Sequence, residues 1–118
     1  MLVSDLINVR YLSGFTGSNA ALLVLAEHET PVLATDGRYR TQAAHQAPDA
    51  EVVIERACNP HLVGRAAAMG VRRLGFESHV VTVDAFANVP GVSDLTVEDG
   101  VLRCTVLGSP DALIKAVA

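Results

Sequence analysis

Asn8-Val9-Arg10-Tyr11-Leu12-Ser13-Gly14-Phe15-Thr16-Gly17-Ser18-Asn19, followed at once by Ala20-Ala21-Leu22-Leu23-Val24-Leu25-Ala26, is the stretch on which the reading of this chain turns. Gly14 and Gly17 stand three apart among small hydroxyl residues, the composition of a tight, shaped loop. The chain has only two tyrosines, three phenylalanines and no tryptophan, yet Tyr11 and Phe15 both fall here. Aromatics in a turn have two uses. They plug the core from the loop side, or they face a ligand or a partner.

A glycine-rich loop invites a phosphate-binding reading, and the next residues argue against it. Phosphate loops run from a strand into a helix whose N-terminus meets the anion, and the Walker form carries a lysine. Here the loop runs into a short, continuously apolar stretch closed by Glu27-His28-Glu29, the pattern of a strand buried on both faces, and the lysine is missing.

Around that stretch, 118 residues make one domain, long enough to bury roughly two-thirds of the surface its unfolded chain exposes. At 50% hydrophobic and 19% charged residues the balance is globular rather than disordered. The net charge is -4 and no basic cluster exceeds Arg72-Arg73, so a nucleic-acid footprint is absent. No apolar run approaches the roughly 18 residues of a membrane span. The first residues lack the basic start and apolar core of a secretory signal. Cys58 and Cys104 lie far apart and read as reduced thiols of a cytoplasmic protein.

In chain order, Met1-Leu2-Val3 and Leu6-Ile7 bracket Ser4-Asp5 and read as a first strand that opens with nothing before it. Ala20–Ala26 is the second strand and Pro31–Thr35 the third. The four-residue connection between them predicts an antiparallel hairpin. Asp36 or Gly37 caps a helix over Arg38–Ala47, which Pro48 stops. Ala50–Glu55 is a fourth strand. Asn59-Pro60 opens a second helix, with Asn59 as cap, and Gly70 ends it. Arg73–Glu77 is a fifth strand, and Thr82 caps a short helix to about Asn88. Asp99-Gly100 then turns between Leu95-Val97 and Val101–Leu107, and Ser109-Pro110-Asp111 starts a last helix. Hairpin-linked strands followed by βαβ alternation give an α/β fold, a mixed sheet with helices on its faces.

Three stretches, "DLINVRYLSGFTGSNAALLV", "ATDGRYRTQA" and "GFESHVVTVDAF", resemble in sequence and order the creatinase/prolidase N-terminal domain of Xaa-Pro aminopeptidases and Xaa-Pro dipeptidases, the pita-bread metallopeptidases. The resemblance covers residues 1 to about 90 and implies a ribonuclease-H-like three-layer α/β fold, with a mixed sheet of five to six strands and helices on both faces. It divides the chain into a domain over 1–108, without the family's first helix, and the start of a linker helix over 109–118.

The resemblance also implies that catalysis belongs to a C-terminal domain in which Asp, His and Glu residues hold two divalent metals, manganese, cobalt or zinc. In this chain His28, His45, His61 and His79 are scattered. Cys58 and His61 form only half of a zinc-type spacing, so no catalytic or metal residue is assigned here and no cofactor is expected in this chain. What remains for this domain, by the resemblance, is to build a homo-oligomer, a dimer, and to lend its loop to the substrate pocket of a neighbouring subunit that takes a proline-containing peptide. Tyr11, Phe15, Thr16, Gly17 and Ser18 would form that pocket or dimer loop, with Phe15 as an apolar wall. Asn8, Arg10, Asp36, Arg38 and Tyr39 would brace it. Creatinase-like relatives place an arginine beside the aromatic, and none stands beside Phe15, which sets guanidino substrates aside. The competing class is a stand-alone peptide- or protein-binding module derived from a catalytically dead relative.

Overall fold

The computed structural model describes residues 1–82, 84 and 85, and the backbone of two further strands over 92–98 and 101–106. Its elements are β1 (Leu2–Val3), α1 (Leu6–Ser13), β2 (Ala20–Leu23), β3 (Val32–Thr35), a 3-10 turn (Gly37–Tyr39) leading into α2 (Arg40–Gln46), β4 (Glu51–Ile54), α3 (Cys58–Ala68), β5 (Arg73–Glu77), β6 (Val92–Glu98) and β7 (Val101–Val106). They form one seven-stranded sheet in the order β4-β3-β2-β1-β5-β7-β6. The sheet is mixed, as expected, and has seven strands where five to six were expected.

β2 and β3 form the antiparallel hairpin, with Ala20 opposite Thr35 and Leu23 opposite Val32. β1 lies antiparallel to β2 and parallel to β5, and β4 lies parallel to β3 across α2. β1, β3, β4 and β5 therefore run the same way and end on one edge of the sheet. The turn before β2 opens onto that same edge.

Strand alternation divides the core into two layers. Leu2, Ala21, Leu23, Val32, Ala34, Leu74 and Phe76 face α3, meeting Leu62, Val63, Ala66 and Ala67. Val3, Ala20, Leu22 and Leu33 face the other way, meeting Val9 of α1, Phe15, and Ala43 and Ala47 at α2. Every residue of β2 and β3 is buried, which is why the run after Asn19 carries no polar alternation. Among the described residues no helix is long and apolar enough to cross a membrane.

Two sequence expectations are corrected. The first strand stops at Val3, and Leu6-Ile7 opens α1 instead of continuing it. Asp5 caps that helix by accepting the Ile7 N–H at 3.0 Å, and Gly14 closes it at φ 86°, its N–H bonded to the Arg10 carbonyl. The second correction concerns α3. Its cap position is Ala57, without a side-chain bond, while Asn59 lies inside the first turn. Gly70 does end this helix region, at φ 85°. Farther along, the Thr82 hydroxyl accepts the Ala85 N–H at 3.0 Å, the capping contact expected there. The Asp99-Gly100 turn and residues 107–118, including the proposed linker helix, lie outside the described residues.

Candidate functional site

Gly14 to Asn19 crosses the edge of the sheet on a set of short, specific contacts. The Thr16 N–H bonds Gln46 Oε1 at 2.9 Å, and the Thr16 hydroxyl meets Gln46 Nε2 at 3.0 Å and Gln42 Nε2 at 3.1 Å. The Ser18 hydroxyl and the Tyr39 phenol are 2.6 Å apart. Asn19 Nδ2 donates to Asp36 Oδ2 at 3.0 Å and to the Arg56 carbonyl at 3.2 Å. Gly14 itself passes so close to α2 that an added Cβ would lie 2.8 Å from the Gln46 carbonyl oxygen. The turn is therefore clamped from α2 on one side and from the Asp36-Gly37-Arg38-Tyr39 corner on the other.

That corner is rigid in its own right. Arg38 grips Asp36 with Nε on Oδ1 and Nη2 on Oδ2, both at 2.9 Å, while its backbone N–H also reaches Oδ1. The Arg38 bonds first, and the Asn19 bond second, hold the Asp36 carboxyl below the usual carboxylate range. The Arg38 guanidinium lies 5.0 Å from the centroid of the Tyr39 ring. The hydrogen bond between the Ser18 and Tyr39 hydroxyls lowers the Tyr39 phenol below its usual value.

Phe15 does not face outward. Its ring is 1% exposed and sits edge-on to Tyr39, with ring centroids 5.5 Å apart. The expectation that Phe15 walls a substrate pocket is therefore corrected: the ring plugs the layer between β2 and α2. Gly17 is buried directly over it, and a Cβ there would fall 2.2 Å from Phe15 Cζ. Thr16 and Ser18 are exposed on the outer side of the turn. Tyr11 lies on α1 rather than in the turn and is 86% exposed.

The remaining residues assigned to loop bracing divide. Asp36 and Tyr39 hold the turn directly, and Arg38 holds Asp36. Asn8 instead donates to Glu77 Oε2 at 2.5 Å, and the Arg10 side chain is exposed on α1. Gln42 and Gln46 were missed in the sequence. Their signal was four-residue spacing beside the buried stripe of Ala43 and Ala47, which puts both amides against the neighbouring turn.

Below α1, Glu77 accepts the N–H groups of Ser4 (2.7 Å) and Asp5 (2.9 Å) as well as Asn8, fastening β5 to the start of the helix. His79 Nε2 lies 2.7 Å from Asp5 Oδ2, and that bond leads the lowering of the Asp5 pKa. Among the described residues, Asp5, Glu77 and His79 are the group whose ligand atoms gather within 4.8 Å. Both Glu77 oxygens are already committed to N–H donors, and three ligands fall short of a two-metal set. These residues do not fit the dinuclear centre. Cys58 is a free thiol, which burial above all pushes up to about 11.

The family model described as the creatinase/prolidase N-terminal domain matches residues 1–99. The chain belongs to the creatinase/prolidase N-terminal domain family. This creatinase/prolidase-type domain is 71% identical to the N-terminal domain of cytoplasmic peptidase PepQ from Mycobacterium tuberculosis H37Rv, with a TM-score of 0.72 over 74% of this chain and 67% of that one. A Xaa-Pro aminopeptidase structure from Streptococcus pyogenes matches at 30% identity and a TM-score of 0.66, over 75% of this chain and 66% of that one. The uncharacterized peptidase YqhT of Bacillus subtilis (strain 168) is 33% identical over 93 residues, 78% of this chain. The domain spans about a quarter of that curated relative, 26% of its length.

Proposed function

We propose that this chain is the non-catalytic N-terminal part of a metal-dependent Xaa-Pro peptidase, which holds subunits together as a dimer and lends its clamped turn to the substrate pocket of a neighbouring subunit. The observation that carries this reading is the outer face of α1. Ile7 (77% exposed) and Tyr11 (86%) stand one helical turn apart, flanked by Leu6 and Leu12, and the face runs straight into the Gly14–Asn19 turn. An eight-residue helix that buries only Val9 and exposes four large apolar side chains is built to be covered. Tyrosine and isoleucine at its centre, with Arg10 beside them, supply the aromatic and arginine side chains that anchor interfaces.

On this reading the groups offered to a neighbour are Tyr11 and the outer edge of Thr16 and Ser18, with the buried Phe15 and Gly17 supporting them from beneath. The two divalent metals and the scissile bond of the proline-containing peptide belong to the catalytic part of the enzyme. Support comes from kinship with Xaa-Pro peptidases and from the contrast between a rigid turn and an uncovered helix.

The reading frame beyond Ala118 separates this from the binding-module class. A frame that continues into metal-ligating Asp, His and Glu residues, and whose product cleaves glycyl-proline with manganese, supports the peptidase. A stop codon there supports the module.

A further inference from the structure

Beside the clamped turn, at the carboxyl ends of β3 and β4, lies an open depression of about 780 Å³ walled by Asn19, Asp36, Gly37, Arg38 and Arg56. We propose that it binds the free carboxylate of a short peptide, with Arg38 and Arg56 as its cationic walls.

Its position is the first argument. The depression opens where parallel strands end, the place at which open α/β sheets receive ligands, and its size suits a small ligand (about 300–1,000 Å³). Preorganisation is the second. Arg38 uses one edge of its guanidinium on Asp36 and packs near the Tyr39 ring, so the plane is fixed while 66% of the side chain stays exposed. A guanidinium carries five N–H donors, and those not turned to Asp36 are left for an acceptor. Arg56 is exposed, and its side chain makes no hydrogen bond or ion pair among the described residues, although its carbonyl is tied to Asn19.

Charge selects the ligand. Two arginines and one aspartate leave a single net positive charge in a chain whose overall charge is -4. One surplus charge suits a monoanion, and the fixed Asp36 carboxylate opposes a second negative charge. The lining residues carry two guanidinium groups and no apolar side chain, so the anionic head is what they recognise. Choosing a peptide as the source of the carboxylate rests on the reading above; the anion site itself does not.

The test titrates the isotope-labelled chain with glycyl-proline and, in parallel, with glycyl-prolinamide, which lacks the carboxylate, following the backbone signals of Asn19, Gly37, Arg38 and Arg56. Glycyl-proline should give saturable shifts at these residues, with binding weaker by about tenfold or more for the amide and for Arg56→Gln. Arg56→Gln leaves the Arg38-Asp36-Asn19 bonds in place, and an unchanged spectrum elsewhere checks that it folds. No response, an equal response to both peptides, or an Arg56→Gln variant that titrates like the parent would overturn the site. Subunit assembly and turnover are read in other experiments, so failure here leaves the lending role standing, and failure of that role leaves this titration valid.

Discussion

At Gly17 the backbone closes over the Phe15 ring with no room for a methyl group. An added Cβ would lie 2.2 Å from Phe15 Cζ, 2.6 Å from Cε2 and 3.1 Å from Tyr39 Cδ1. Gly17→Ala should therefore push the ring off its seat and cost about 1–3 kcal/mol, as overpacking does; a urea unfolding curve measures it, and a midpoint equal to the parent's would contradict the packing. Asp36 makes a second residue-scale prediction, this time in pH. Its carboxyl sits below the ordinary carboxylate range when folded, so between the two values the unfolded chain binds more protons than the native one. The stabilisation is complete above about pH 4 and is lost as pH falls through the folded value. Asp36→Asn should flatten that acid limb of the stability profile, and a variant with the parent's acid limb would show the carboxylate to be idle. The sequence made Asp36 and Arg38 legible, because a carboxylate two residues before an arginine at a strand end has few other uses. It left Phe15 undecided, since residue type alone does not say which side of a turn a ring takes.

Among the elements, α1 was the one least visible in sequence. Leu6-Ile7 looked like the continuation of a strand because both are apolar, yet both point outward and only Val9 is buried. The readable clues were Asp5 and Gly14, a capping residue and a left-handed closing residue set around eight helical positions. The strands were easier, because burial on both faces leaves an uninterrupted apolar run with little room for another reading. Glu77 is the long-range part of α1: its contacts with Ser4, Asp5 and Asn8 span about seventy residues of sequence, with separations of 73, 72 and 69. No local pattern announces such a bond. Glu77→Gln keeps the shape but turns an amide toward donors, and should cost about 1–3 kcal/mol. Amide exchange should quicken first at Ser4, Asp5 and the opening turn of α1. Uniform quickening across the sheet would instead mean that Glu77 supports the whole fold and not this helix.

For the whole molecule, the seven-stranded sheet is the platform and its carboxyl edge is the proposed working surface. α3 covers one face, while α1, the turn and α2 cover the other. Most of the platform was legible because β2 and β3 are continuously apolar and the connections are short. The working surface was legible only in part, since it is assembled from Asn19, Asp36, Gln46 and Glu77, residues brought together by topology. Its exposed apolar rim, Leu6, Ile7, Tyr11 and Leu12, is the face committed to a neighbouring subunit in the proposed function. Sedimentation of the chain across a concentration series, beside an Ile7→Lys/Tyr11→Lys variant, tests that commitment most directly. Reversible dimers are expected in the parent and monomers in the variant, with the thermal midpoint little changed at dilutions where both are monomeric, because both side chains lie on the monomer's surface. A parent that stays monomeric at every concentration, or a variant that dimerises equally well, would contradict that commitment.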